Sequence, residues 1–162
     1  MLRRLPMLAR CLPLFLLLFT SCMHVRDWRE LRTEPMPIGQ CYEGLDYIAA
    51  AVGFVSDASV SDRGEGIWQS RWRGRVLDDP KRHPARFRLV AEIELDRGSP
   101  TTGWPIRFVV EQQWIEDLRK SLNPKEDDWS WKGQDKEAEA ILGERLLRRL
   151  APKAVEIPER KI

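Results

Sequence analysis

The sequence predicts an α+β domain of two layers, a three-stranded antiparallel meander with an N-terminal and a C-terminal helix on one face. Two spacings predict it: apolar residues recur at helical period near both ends of residues 41–151, and at period 2 in three consecutive stretches between them. A sheet with one apolar face needs a second layer, and two amphipathic helices supply it.

Taken in order, Cys41 to Val52 reads as the first helix. Leu45, Ile48, Ala49 and Val52 stand at i, i+3, i+4 and i+7, which makes one apolar face, and Gly53 is placed to end it. Phe54 to Gly66 is rich in Ser, Asp and Gly and reads as a loop. In Trp68 to Val76 the even positions Trp68, Ser70, Trp72, Gly74 and Val76 are small or apolar, and Gln69, Arg71, Arg73 and Arg75 alternate with them. Phe87 to Leu95 repeats the pattern with Phe87, Leu89, Ala91, Ile93 and Leu95, and Trp104 to Trp114 with Trp104, Ile106, Phe108, Val110 and Trp114. Asp78-Asp79-Pro80 and Gly98-Ser99-Pro100 separate the three runs. Turn centres near 81 and 100 set Arg71 against Glu92, Glu94 against Arg107, Trp72 against Ala91 and Ile93 against Phe108. Asn123 to Gly133 reads as an acidic loop carrying Trp129 and Trp131. Asp135 is a fitting N-cap for the last helix, whose stripe is Ala138, Leu142, Leu146, Leu147 and Leu150. Pro152 ends it, and the tail 152–162 has no periodicity and reads as disordered.

The N-terminal end carries a different signal. Arg3, Arg4 and Arg10 precede the apolar run Leu12 to Phe19, and small residues follow. That is the layout of a cleavable export signal over residues 1–21, and the run is too short for the roughly 20 apolar residues of a membrane span. Its end, Leu18-Phe19-Thr20-Ser21-Cys22, resembles the lipobox of bacterial lipoproteins. The resemblance implies cleavage before Cys22, lipidation of that cysteine, and attachment of the mature chain to a cell-envelope membrane. Met23 stands where an aspartate retains some lipoproteins in the inner membrane, which leans the expectation to the outer membrane, facing the periplasm. Residues 22–40, with Glu34-Pro35-Met36-Pro37, read as an extended tether. A chain of 18 such residues reaches roughly 60 Å at about 3.3 Å each.

Removing 21 residues and three arginines from 162 leaves 141 residues with 24 basic and 25 acidic side chains. That length suits one domain, expected over 41–151, and the charge balance gives no reason to expect a nucleic-acid partner. Only Cys41 remains besides Cys22; it reads as a small buried hydrophobe or as a thiol that pairs with another chain.

No catalytic constellation is visible, and neither a cofactor nor a metal site is expected. The two histidines, His24 and His83, have no nucleophile at a meaningful spacing. Glu126, Asp127 and Asp128 lack the spacing of a calcium loop. Two features could receive a partner. Arg71, Arg73 and Arg75, with Arg88 and Arg107 (and Arg86) nearby, form a basic row on the polar face of the sheet. It reads either as a docking site for an anionic headgroup or acidic protein, or as a surface neutralised by Glu92, Glu94 and Glu111. Trp129 and Trp131 read either as partner anchors or as a plug over the end of the core. The function these readings imply is that of a non-catalytic accessory or assembly subunit of the envelope, bound to the membrane through its lipid and to an envelope protein. The alternative is a binder of an anionic headgroup or small ligand through the arginine-rich face.

Overall fold

Two ten-residue strands form the spine of the molecule: β4 (Pro84–Ile93) and β5 (Pro105–Trp114) pair antiparallel at nine positions. The structure is a computed structural model that describes residues 26–154. The signal segment, Cys22, His24 and residues 155–162 lie outside the described residues. Around the spine stand β1 (Arg29–Arg32), α1 (Ile38–Ala51), β2 (Ile67–Gln69), β3 (Arg73–Val76), β6 (Ser130–Gln134) and α2 (Lys136–Leu150). β1 and β6 pair with β5, and β2 and β3 with β4. The α+β plan holds, but the sheet has six strands rather than three.

The additional strands have identifiable causes. β1 lies inside the stretch 22–40 that reads as a tether. Arg29-Glu30-Leu31-Arg32 contains a single apolar residue and so carries no period-2 signal, yet it pairs with Pro105 to Phe108 of β5. Thr33 then binds Trp104 through both its amide and its hydroxyl, and the Trp104 indole donates to the Met36 carbonyl at 2.9 Å. β6 lies in the expected acidic loop, and Trp131 is therefore a strand residue. The run 68–76 is two strands rather than one. β2 pairs Trp68 with Ala91 and Gln69 with Val90, whereas β3 pairs Arg73 with Phe87. Four residues on this flank thus span three on β4, which is a bulge. The Ser70 hydroxyl accepts from the Leu89 amide at 2.9 Å in place of a main-chain oxygen. An extra residue inverts the alternation, so Trp72 leaves the core face and Arg73 and Arg75 enter it. The β4–β5 register also differs from expectation by two: Ile93 faces Ile106, and Glu92 faces Arg107.

Both helices cover the face that carries Trp68, Leu89, Ala91, Ile106 and Phe108. α1 starts three residues before Cys41, because Pro37 has fixed φ and its carbonyl accepts from Gln40 and Cys41. Cys41, Leu45 and Ala49 are fully buried, and Gly53 ends the helix at φ 88°. Asp135 caps α2 through the Ala138 amide at 2.9 Å, and Leu142, Leu146 and Leu150 complete the core. The helices meet where Gly44 faces Leu150: a Cβ on Gly44 would stand 2.4 Å from the Leu150 methyl. Residues at the end of α1 and the start of α2, Val52 and Ala138 among them, line a cleft beside β3. Among the described residues no helix is long and apolar enough to cross a membrane.

Candidate interaction surfaces

The face of the sheet away from the helices is closed by stacked tryptophans and arginines. The parity of β4 and β5 sends Arg86, Arg88, Val90 and Glu92, and Arg107, Val109, Glu111 and Gln113, to this side. Trp72, displaced here by the bulge, lies under the guanidiniums of both Arg86 and Arg88, each 4.4 Å from its ring centre. Arg86 also covers Trp129 at 4.6 Å, and Arg107 covers Trp28 at 4.9 Å. This layer buries Val90 and Val109 on the sheet face that has no helix.

Each arginine of the layer has a carboxylate. Arg26 and Arg88 share the buried Glu111 at 2.7 and 2.6 Å, Arg86 binds Glu126, and Arg107 binds Glu92. The Arg86 guanidinium holds the Glu126 carboxyl below the usual range. Of the two readings of the arginine row, the neutralised surface describes Arg88 and Arg107. Trp129 and Trp131 are both half-buried, and Trp131 stands opposite Gln113 in the β5–β6 ladder.

Arg71, Arg73 and Arg75 lie apart from this layer. All three are exposed, and among the described residues none of them forms an ion pair within 4 Å. Arg71 contributes to lowering the Asp57 carboxyl pKa, a shift led by hydrogen bonds from Ser59. Arg73 donates to the Val52 carbonyl at 2.8 Å and so closes the last turn of α1. Arg75 lies 4.7 Å over the Phe87 ring. Arg73 and Arg75 line a cleft of about 150 Å³ together with Val52, Phe54, Phe87, Ile141 and Asp135. The sequence could not place the cleft, because it depends on the bulge.

The N-terminal segment is fastened at the junction of β6 and α2. The Asp27 main chain exchanges two hydrogen bonds with the Gln134 amide, both at 3.0 Å. Lys136 Nζ reaches Asp27 at 2.8 Å and Glu139 at 3.1 Å. Burial draws the Lys136 ammonium pKa down, but its bonds to Asp27 and Glu139 outweigh this and leave it raised. Glu139 is wholly buried; its Oε1 accepts from Val110 and Gln134 at 3.0 and 2.9 Å. Nothing in the residue spacing of the last helix marks Glu139 as buried.

Two groups with chemical potential are committed structurally. His83 Nδ1 lies 2.8 Å from Asp79, and its ring packs on Trp114 at 4.7 Å. Cys41 is buried, and burial pushes its thiol up to about 12. Among the described residues no group of three or more His, Cys, Asp and Glu side chains is arranged to hold a metal ion. No known protein-family model matches the chain, and no characterised protein matches it in sequence.

Proposed function

We propose that this chain is a lipid-anchored, non-catalytic accessory subunit of a bacterial envelope, held directly on the membrane through Cys22. The observation that carries this reading is how the first described residues are fastened. Arg26 is bound to Glu111, Asp27 to Gln134 and Lys136, and Trp28 lies beneath Arg107. Four chain steps separate Cys22 from Arg26, a reach of at most about 14 Å at roughly 3.6 Å per residue. The long tether expected over residues 22–40 is therefore replaced by a short leash. A subunit on such a leash works at the headgroup plane, the depth at which the membrane-proximal part of an envelope protein is exposed. Arginine and tryptophan near Arg26 and Trp28 suit that depth, since both carry an apolar body and a polar tip.

The alternative, capture of anionic headgroups by the sheet face, gains little from Arg88 and Arg107, whose charges are already matched. Mature protein facing the periplasm from the outer membrane remains the localisation that Met23 suggests.

The test is expression of the full chain in a lipoprotein-processing bacterium with labelled palmitate. Label and membrane association are expected for the native chain and lost in Cys22→Ser. Unchanged size and attachment in the variant overturn the reading. For the leash, a fluorophore at Glu30→Cys is expected to be quenched by nitroxide headgroups more strongly than one at Tyr47→Cys, and a twelve-residue Gly/Ser insertion after Met23 removes the difference. Equal quenching in the uninserted chain overturns the short leash.

A further inference from the structure

We infer that the β3 edge, with the cleft beside it, is a docking site for an extended acidic segment of a partner protein, one that adds a strand to the sheet. Two independent features of β3 lead there, its hydrogen-bonding groups and its charges.

The first is the main chain. The Leu77 amide donates to the His83 carbonyl at 2.9 Å, in the same register that pairs Arg75 with Ala85 and Arg73 with Phe87. Bonded positions alternate along an antiparallel pair, so Arg73, Arg75 and Leu77 bond to β4 while Gly74 and Val76 direct their N–H and C=O groups away from it. All four residues of β3 are exposed. β2 differs, because residues 55–62 cover its outer side: Asp57 and Arg71 amides bond across to Gln69 and Val55 carbonyls, and Asp62 bridges to Ile67. The outward groups of Gly74 and Val76 are thus the open part of this edge, and Gly74 has empty space where a Cβ would be.

The second is charge. The register places Arg73 and Arg75 on one side of the strand, and Gly74 and Val76 on the other. The arginines of the outer layer are matched by carboxylates within 4 Å, whereas Arg73 and Arg75 are not; the cleft sets two guanidiniums against the single carboxylate of Asp135, whose Oδ1 accepts from the Ala138 amide. An added strand sets its residues beside these at the same spacing of two, so a segment with acidic side chains at alternate positions meets both guanidiniums. Its intervening side chains lie along Gly74 and Val76, and Val76 is 49% exposed. Ile141, 45% exposed in the cleft, offers apolar contact to a side chain that reaches past Arg75. The occupant is therefore an extended peptide of the form acid–apolar–acid, not a helix and not a membrane.

The probe is a fluorescein-labelled octapeptide of alternating glutamate and valine, compared by anisotropy with a peptide of the same composition that places its four glutamates together. The full domain from Arg26 onward, inside its native chain, is the binding partner. The alternating peptide is expected to bind at least ten-fold more tightly. Arg73→Glu with Arg75→Glu is expected to abolish binding, and Val76→Pro, which removes an outward N–H but no bond to β4, to weaken it ten-fold or more. Proline is tolerated at a sheet edge, and an unchanged thermal midpoint certifies the fold of each variant. Equal affinity for the two peptides, or full affinity in Val76→Pro, overturns strand addition. Absence of binding by the native chain overturns the site, and preferential binding of anionic vesicles over peptide overturns the occupant.

Discussion

Removing the Glu139 side chain separates a buried acceptor from a surface ion pair. In Glu139→Ala the buried Val110 amide loses its acceptor at 3.0 Å, which costs about 1–3 kcal/mol. One methylene leaves a fully buried site along with the carboxylate, at about 0.8 kcal/mol. The contact with Lys136 adds little, since that side chain is half exposed, and loss of a buried carboxylate relieves some desolvation. The net is about 2–4 kcal/mol, a large part of the 5–15 kcal/mol typical of a domain. Glu139→Gln retains an oxygen for Val110 and gives up only the charge, so its loss is expected near 1 kcal/mol. Urea unfolding followed by tryptophan fluorescence measures both, read as a midpoint shift at constant slope. Amide exchange at Asp27 should accelerate in the alanine variant, because Gln134 is released with Glu139. If glutamine proves as damaging as alanine, the energy resides in the ion pair and the acceptor argument is wrong. An alanine loss below about 1 kcal/mol would show that Val110 finds another partner.

Cys41 should resist alkylation in the native protein and react on unfolding; because its folded pKa is raised to about 12, stability it contributes is present below the unfolded thiol's value of about 8.5 and is lost as pH rises from there toward 12. Reaction of the folded chain at neutral pH would contradict its burial. Two glycines of α1 should respond oppositely to alanine: Gly39→Ala, with no atom within 4 Å, gains about 0.5–1 kcal/mol of helix stability, whereas Gly44→Ala meets Leu150 and loses about 1–2 kcal/mol net, as thermal melts would show. Trp72→Ala should lose about 1–2 kcal/mol, and a double-mutant cycle with Arg88→Ala should return a coupling near 0.5–1 kcal/mol; zero coupling would refute the stack.

What the sequence made legible was whatever strong amphipathic periodicity decides. The α1 stripe of Leu45, Ile48 and Ala49, the Asp135 cap and the inward faces of β4 and β5 follow from residue spacing alone, and the structure has them. β1 was invisible because Leu31 is its one apolar residue, so its stability comes from pairing with β5 and from the bonds of Gln134 and Lys136 to the adjoining Asp27, all partners distant in sequence. β6 was hidden by the charged residues around it; Trp131 is held there by pairing with Gln113 of β5, and Trp129, just before the strand, lies under Arg86 of β4. Arg88 and Arg107 were rightly placed on the outer face, while Arg73 and Arg75 were assigned the side opposite to the one they occupy.

That last difference links the two surfaces of the molecule. The run Trp68 to Val76 alternates without a break in sequence, and a straight strand would have put Trp72 in the core and all three arginines outside. On the helix side β3 borders the cleft, so an indole placed there would meet less cover. On the opposite face Arg86 and Arg88 offer two cationic partners to one indole ring, and Val90 lies beneath. The extra residue at 70–72, accommodated by the Ser70 hydroxyl, converts a clash of periodicity with coverage into two satisfied surfaces. The same inversion turns Arg73 and Arg75 toward the cleft, away from the carboxylates of the outer layer. Deleting Arg71 removes the extra residue yet keeps Gln69 opposite Val90 and Arg73 opposite Phe87, so the Trp72 stack and acidic-peptide binding should both survive in a strand without the bulge. Loss of either one would show that the bulge itself, and not the face each residue occupies, holds that surface.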